Sequence, residues 1–191
     1  MINNNKNFIY VHIPKTGGIS IEKTLGGRIG DHRNIKRYIE CLNKNMNLFH
    51  QYFSFAFVRN PWDKMVSNYF YDKKGGFSGK SPMFRTNQLE FNEWIKIIHT
   101  FGKPKRMYTN QVDWITNFEN KIDISFIGRF ENLEEDWNTV CKKINIDTKL
   151  FHLNKTNRNE DYRIYYKDTE AIEVVAKLHH KDIETFNYKF E

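Results

Sequence analysis

Short apolar runs alternate along this chain with longer segments in which apolar side chains recur every three or four positions. Three runs have the length and composition of strands buried on both faces, and they are Phe8–Ile13, Phe53–Val58 and Ile124–Gly128. Strands that alternate with helices are typical of a parallel sheet with helices on both faces. The pattern therefore predicts an α/β fold.

The segments between these strands are predicted to be helices, because their apolar residues have helical periodicity and recognisable start and stop residues flank them. Asn60 followed by Pro61 marks a helix start, because asparagine caps a helix and proline suits its first position. No repeat or linker divides the chain, so we expect a single domain over residues 1–191. The predicted helices are Ile19–Leu25 before Gly26, Asn34–Leu42, one beginning at Pro61, Phe91–Phe101 before Gly102, Leu133–Ile144, and a last one from Thr169 to Phe186.

The first strand leads into a loop with two glycines, HIPKTGGIS (His12–Ser20), and then into a helix. Such a loop can bind phosphate, because free backbone N–H groups and the positive end of the helix dipole face it. Glycines let an anion approach the backbone, and lysine adds a point charge. Taken alone, the segment could also be an ordinary turn between a strand and a helix. The residues that would meet the anion are Lys15, Thr16, Gly17, Gly18 and Ser20.

The order of residues in this loop differs from that of a nucleotide kinase or ATPase. Their GxxxxGK[ST] loop places the lysine after the last glycine, whereas Lys15 precedes Gly17 and Gly18. The second strand ends in Arg59, where those enzymes carry a magnesium-binding aspartate. Both differences count against a kinase.

A second strand, turn and helix place Arg59 at a strand end and Ser67 two turns into a helix. An arginine fork and a hydroxyl can together hold a terminal phosphate monoester. Separately, each residue has an ordinary structural explanation. Combined with the first loop, they predict a ligand with two separate anionic ends.

The bulk properties narrow the partner less than the motifs do. The 191 residues carry a net charge of +7 and a pI of about 9.3, which suits either an anionic partner or a generally lysine-rich surface. Cys41 and Cys141 lack disulfide or metal-site spacing, and Cys141 is predicted to be a buried thiol. No apolar run has the length of a membrane span, and no signal peptide is evident, so we expect a cytoplasmic protein.

The two motifs, HIPKTGGIS and FVRNPWDKMVSNYF (Phe57–Phe70), resemble those of the sulfotransferases that use 3′-phosphoadenosine 5′-phosphosulfate (PAPS). The similarity is greatest to the carbohydrate sulfotransferase-like branch. It implies a P-loop-like three-layer fold with a central parallel sheet flanked by helices. Later segments fit the same branch and extend the resemblance over nearly the whole chain: QVDWI (Gln111–Ile115), FIGRFENLEEDW (Phe126–Trp137), LNKTNR (Leu153–Arg158) and DIETFNYKFE (Asp182–Glu191).

The resemblance also implies roles for individual residues. The 5′-phosphosulfate would be held by Lys15, Thr16, Gly17, Gly18 and Ser20, the 3′-phosphate by Arg59 and Ser67, and the nucleotide would be covered by a basic loop with Arg158 and Lys155. The chain departs from the family pattern at Ile19, Lys64 and Asn68, where threonine, arginine and alanine are common. These departures affect fine contacts more than the choice of cofactor.

The catalytic residues predicted on this basis are Lys15 and His32. Lys15 would stabilise the leaving oxygen as negative charge develops there, with no metal and with 3′,5′-adenosine bisphosphate (PAP) as product. His32 lies where relatives often place a catalytic histidine, and histidine suits a base at neutral pH. Asp31 or a nearby glutamate is the alternative base. His12 and His179 are predicted to be a structural pocket residue and a core residue.

The predicted function is therefore sulfuryl transfer from PAPS to a hydroxyl, with a glycan as the first choice of acceptor. Gln111 and Trp114 would line a sugar site, although core packing suits Trp114 equally well, and Gly75–Pro82 is either a lid or an ordinary loop. The alternatives are a P-loop-type nucleotide kinase or NTPase, a non-catalytic basic binder of anionic glycan or nucleic acid, and a relative that binds the cofactor without activity. Scattered basic residues without an RNA motif argue against nucleic acid.

Overall fold

The computed structural model describes residues 1–75, 88–101, 109–151 and 158–191. The chain forms two compact units that are interleaved in sequence. The first unit comprises Met1–Arg59 and Gln111–Asn154, and the second comprises Asn60–Asn110 and Lys155–Glu191. The single domain expected over residues 1–191 stays a prediction.

The first unit contains a sheet of four strands in the order β1-β2-β3-β4. The strands are β1 (Ile2–Asn3), β2 (Phe8–Val11), β3 (Phe53–Val58) and β4 (Phe126–Arg129). Strand β1 is antiparallel to β2, whereas β2, β3 and β4 are parallel. The α/β fold with a mostly parallel sheet flanked by helices is thus confirmed. Strand β2 ends two residues before the predicted Ile13, and β4 begins two residues after the predicted Ile124.

Eight helices are described. In chain order they are α1 (Gly18–Thr24), α2 (Ile35–Cys41), α3 (Met46–Phe49), α4 (Pro61–Lys73), α5 (Phe91–Phe101), α6 (Leu133–Lys143), α7 (Thr169–Leu178) and α8 (His180–Phe186), with short 3₁₀ turns at Val112–Trp114, Phe130–Asn132 and Tyr162–Tyr165. None of them is both long and apolar enough to cross a membrane. Gly102, the predicted stop of α5, lies outside the described residues.

Capping side chains define several helix starts, and the one at Asn60 is the cap that the sequence predicts. The Asn34 side chain accepts a hydrogen bond from the Arg37 N–H at the start of α2, and the Asn60 side chain accepts one from the Trp62 N–H at the start of α4. The single helix predicted from Thr169 to Phe186 is wrong, because His179 leaves the helical conformation, with φ −115° and ψ 25°. The segment therefore forms two helices.

A large hydrophobic cluster of the first unit lies on one face of the sheet. Alternate residues of β2 and β3 point to that face, as the two-residue period of a strand requires. They pack against α1 and α6 and bury the Cys141 thiol, whose pKa is raised by that burial. The cluster comprises Phe8, Tyr10, Ile21, Phe55, Phe57, Trp137, Val140, Cys141, Ile144 and Leu150.

Candidate functional site

The loop after β2 turns sharply before α1 begins. Lys15 and Gly17 both have positive φ, at 69° and 83°. The Thr16 hydroxyl is buried and donates to the Ile13 carbonyl across 2.9 Å, which closes the loop on itself. A side chain at Gly17 would combine this backbone strain with a 3.2 Å approach to Leu133 Cδ2, so glycine suits the position.

The first turn of α1 has no side-chain cap among the described residues. Gly17 is its N-cap residue, and no acidic residue lies within the turn. Backbone N–H groups at a helix start favour negative charge, and a carboxylate there would compete for them. Ser20 is buried in the same turn. These features fit the phosphate-binding role that the sequence predicts for the loop.

Gly18 has a second role, which the sequence does not reveal. A Cβ at this position would lie 2.0 Å from both Cδ2 and Nε2 of His12. The imidazole of His12 therefore occupies the space that a side chain at residue 18 would need. The absence of a side chain at Gly18 lets His12 pack directly beneath the start of α1.

His12 is paired with a buried carboxylate. Its Nδ1 lies 2.8 Å from Glu22 Oε1, and both side chains are buried. Glu22 also accepts hydrogen bonds from the Gly30 N–H at 2.6 Å and the Asp31 N–H at 3.2 Å. Burial tends to raise the pKa of Glu22, but His12 and the two backbone N–H groups outweigh it and hold the pKa below its usual value. Glu22 is therefore a buried, ionised residue.

Sequence reasoning identified His12 as a pocket residue but missed Glu22. The available signal was its place in the chain. Glu22 directly follows the core residue Ile21, on a short helix expected to bury an apolar face. Charged residues are rarely fully buried without partners. The partners of Glu22 come from β2 and from the loop after α1, which the sequence alone does not bring together.

His32, the predicted base, lies against His12. The two imidazole centroids are 4.2 Å apart, and His32 Nδ1 lies 3.4 Å from the His12 carbonyl oxygen. Trp114 is buried and presents its ring to His32 edge-on at 6.4 Å between centroids. His32 therefore lies next to His12, the first residue of the HIPKTGGIS loop.

Asp31, the alternative base, is held in an ion pair. Arg33 donates from Nε to Asp31 Oδ1 at 2.8 Å and from Nη2 to Oδ2 at 2.5 Å. This bidentate hydrogen bonding lowers the pKa of Asp31. Since a general base works best with a pKa near the operating pH, the arrangement favours His32 over Asp31.

Arg59 connects the end of β3 to the first loop. Its Nη1 donates to the Lys15 carbonyl at 3.0 Å, and its guanidinium lies 3.8 Å from the centroid of the Phe130 ring. Gln111 fixes the Arg59 backbone by accepting from its N–H and donating to its carbonyl, both at 2.8 Å. The amide predicted for a sugar site therefore holds Arg59 in place.

The remaining predicted site residues lie in the second unit. Ser67 is buried on α4, and Arg158 Nη2 lies 2.5 Å from Asp63 Oδ1 in the first turn of the same helix. Lys64 is also buried, and its Nζ donates to the Thr109 carbonyl at 3.1 Å. Lys155 and residues 76–82 of the predicted lid lie outside the described residues.

A cavity of about 670 Å³ lies in the first unit beside the His32 loop. Its lining includes the residues on both sides of His32 in the chain, Asp31 and Arg33, together with Arg28 and the glycines Gly26 and Gly27. Guanidinium and carboxylate groups make it a polar cavity, suited to a ligand that forms hydrogen bonds.

Comparison with known proteins gives a family match over nearly the whole chain. The sequence model described as "Sulfotransferase family" matches residues 1–189. An uncharacterized protein of Archaeoglobus fulgidus is 38% identical over 120 residues, which cover 61% of this chain and 87% of the relative. No solved structure gives a significant match.

Proposed function

Because the chain belongs to the sulfotransferase family, we propose that it transfers a sulfuryl group from PAPS to a hydroxyl of a carbohydrate acceptor. The family match carries the general reaction, sulfuryl transfer to an acceptor. The match does not favour the nucleotide kinase or the non-catalytic binder. The donor, the acceptor class and the residue roles are proposals that depend on the site described above.

The observation that carries the donor assignment is the uncapped loop at the start of α1. Gly17 has a left-handed conformation and no side chain of the described residues caps the turn, so the N–H groups suit an anionic group. Lys15, Thr16, Gly17, Gly18 and Ser20 are assigned to the 5′-phosphosulfate. Arg59 and Ser67 are assigned to the 3′-phosphate and Arg158 to the closing loop, on the strength of the sequence resemblance.

The contacts of His32 support its role as the base. A carbonyl oxygen can only accept a hydrogen bond, so the His32 nitrogen near the His12 carbonyl, Nδ1, carries the proton. Nε2 then carries the lone pair. In the neutral ring it is Nε2 that is able to take a proton from a hydroxyl.

The reaction balances with these groups. The acceptor oxygen forms a bond to sulfur while the bond from sulfur to the bridging phosphate oxygen breaks, and the hydroxyl proton passes to His32 Nε2. Lys15 stabilises the negative charge that develops on the bridging oxygen. The products are the sulfated acceptor and PAP, and His32 later releases its proton to water.

The polar cavity that is lined in part by Asp31 and Arg33, the chain neighbours of His32, supports a hydroxyl-rich acceptor, although His32 itself does not line it. Its lining by Arg28, Asp31 and Arg33 offers both hydrogen-bond donors and acceptors. A sugar ring presents the same mixture of groups. This complementarity favours a carbohydrate over a lipid or another largely apolar acceptor.

The test is thermal unfolding with PAP, compared with ADP and AMP, with and without magnesium. A ligand at about 100 times its dissociation constant adds roughly 2.7 kcal/mol of stability. Each kcal/mol raises Tm by about 2–4 °C in a protein of this size. We expect stabilisation by PAP that does not need magnesium and is lost in Arg59→Ala.

Arg37→Ala is the matched control, because Arg37 is an exposed arginine of the same unit and pairs with Glu40 at 2.6 Å. It should keep the full shift with PAP. A magnesium-dependent shift with ADP, or no shift with PAP, would overturn the proposed donor. Transfer of labelled sulfate from PAPS to a glycan panel then tests the acceptor class.

A further inference from the structure

Glu22 is a buried charge with several partners in the first unit. Two backbone N–H groups donate to its carboxylate, Gly30 at 2.6 Å and Asp31 at 3.2 Å, and His12 Nδ1 lies 2.8 Å from it. No role predicted from the sequence involves this residue. A buried carboxylate is costly unless its partners are supplied, so the fold has placed three of them here.

The partners of Glu22 lie on both sides of His32. Gly30 and Asp31 are the two residues before it in the chain, and their N–H groups point to the carboxylate. The His12 ring contacts the His32 ring on the other side, and the His12 carbonyl oxygen lies 3.4 Å from His32 Nδ1. Glu22 therefore fixes both the backbone that leads into His32 and the residue against which His32 packs.

The same contacts select the protonation pattern of the two rings. The 2.8 Å approach of a carboxylate oxygen, which can only accept, favours a proton on His12 Nδ1, the nitrogen next to Glu22. With His12 held by Glu22, its carbonyl stays beside His32 Nδ1. A hydrogen bond to one imidazole nitrogen determines which nitrogen keeps the lone pair. Glu22 thus acts on His32 through His12, without a contact of its own.

We propose that Glu22 is a positioning residue, which holds His32 in the orientation and with the Nδ1-protonated tautomer that leave Nε2 to accept the hydroxyl proton of the acceptor. This inference rests on the proposed function, because it assigns the base role to His32. It adds to the residues that serve the reaction a buried carboxylate that acts on His32 through His12 and does not touch the substrate.

The variant that tests this is Glu22→Gln, which keeps the size of the side chain and removes its charge. The glutamine oxygen can still accept a hydrogen bond. Its NH₂ group, however, would face an N–H donor at the position where the second carboxylate oxygen accepts one in the wild type. We expect kcat to fall about 10²-fold, since small misplacements of a catalytic group cost about this much. The KM for PAPS and the thermal shift with PAP should stay as in the wild type, because Glu22 is not assigned to the donor.

Glu40→Gln is the matched control. It removes a carboxylate from the same unit, where Glu40 pairs with the exposed Arg37, and it should leave kcat and the PAP shift unchanged. A variant that loses donor binding and stability together with activity would show a merely structural role. That result would overturn the proposal.

A second readout needs no activity. Long-range ¹H–¹⁵N NMR spectra separate the protonated from the unprotonated ring nitrogen of each histidine, with His32 assigned by comparison with His32→Gln. We expect the Nδ1-protonated tautomer of His32 in the wild type and a mixture of tautomers in Glu22→Gln. A wild-type His32 protonated on Nε2, or a tautomer unaffected by the substitution, would refute the positioning role even if the variant folds poorly.

The two proposals fail in different ways. Failure of the wild type to bind PAP or to transfer sulfate removes the proposed function, while the NMR comparison still decides whether Glu22 orients His32. Binding and transfer in the wild type, with an unaltered kcat in Glu22→Gln, removes the positioning role alone.

Discussion

Each of the two units contains a buried histidine beside a buried carboxylate, and the two pairs differ in geometry. In the first unit, His12 Nδ1 lies 2.8 Å from Glu22, which also accepts two backbone N–H groups. In the second, His179 Nδ1 lies 3.6 Å from Asp182 Oδ2, beyond hydrogen-bond distance. Among the described residues, His12 Nδ1 and both ring nitrogens of His179 lack a partner with hydrogen-bond geometry, so the first pair is distinguished by its short separation and by the two backbone N–H groups on Glu22.

The two pairs differ in charge: the partners of Glu22 keep its carboxylate ionised, whereas burial keeps His179 neutral. Burial lowers the pKa of His179, and the charge of Lys64 adds to this, so the contact with Asp182 does not keep the ring protonated. His179 is thus a neutral core residue, as the sequence predicts. Around Glu22, by contrast, the donors outweigh burial and preserve the charge. Residue types alone do not distinguish the two; the number and distance of the donors do.

The largest expected effect is the loss of stability in His12→Leu. Removing one partner of a buried ionic contact typically costs about 3–5 kcal/mol, because the other charge is left under-solvated. Here Glu22 would keep only its two backbone donors. Urea unfolding at neutral pH measures the change in the free energy of unfolding.

His50→Leu is the control for His12→Leu. His50 Nε2 lies 2.9 Å from Asp123 Oδ1, a similar distance, but the His50 side chain is 55% exposed. Exposed pairs contribute about 0–1 kcal/mol, so this variant should change stability little. Equal losses in the two variants would mean that burial and the donors of Glu22 are not what distinguishes the pair.

The second prediction concerns Gly18→Ala, which places a methyl group 2.0 Å from the His12 ring. Overpacking of this kind costs about 1–3 kcal/mol. In a His12→Ala background the ring is absent, and alanine should then be neutral or better, since it favours a helix over glycine by about 0.5–1 kcal/mol. A double-mutant cycle by urea unfolding measures the coupling energy between residues 12 and 18. If the two substitutions changed the free energy of unfolding additively, the His12 ring would be able to move away from the added methyl group.

The sequence predicts best what is local in the chain. Asn60 and Pro61 start α4, and Asn34 caps α2, because capping acts within three residues. The period-two and period-3.6 patterns locate β2, β3 and the main helices. The paired glycines correctly indicate the turn before α1, although Gly18 proves to be shaped by His12 as well.

What the sequence does not reveal depends on contacts between distant segments. The partners of Glu22 come from two parts of the chain, the end of β2 and the loop after α1, and Gln111 binds the backbone of Arg59, 52 residues away. Strand β1 is too short to form a recognisable pattern. The break between α7 and α8 has no glycine or proline to mark it. It lies at His179, whose side chain is fully buried.

The smallest expected effect is a pH dependence of stability that originates in the second unit. The pKa of His179 lies below its ordinary value of 6.5 in the folded protein. Below pH 6.5 the unfolded chain therefore binds a proton that the folded chain does not, and stability decreases as the pH falls from 6.5 towards the folded pKa. Glu22 contributes in a lower window, below its ordinary pKa of 4.5. Between about pH 5 and 7 the N-terminal amine of Met1 also contributes, because burial lowers its pKa to about 5, so the part due to His179 is obtained by comparison with a variant.

The difference between His179→Leu and the wild type isolates this contribution. A leucine keeps the site apolar and cannot take up a proton, so its free energy of unfolding should vary less over this pH range than that of the wild type. His180→Gln is the matched control, because His180 is the adjacent histidine and is exposed, and it should retain the wild-type slope. If His179→Leu has the same slope as the wild type, folding does not lower the pKa of His179. The ring would then be charged as readily in the folded chain as in the unfolded chain, and the contrast between the two units would disappear.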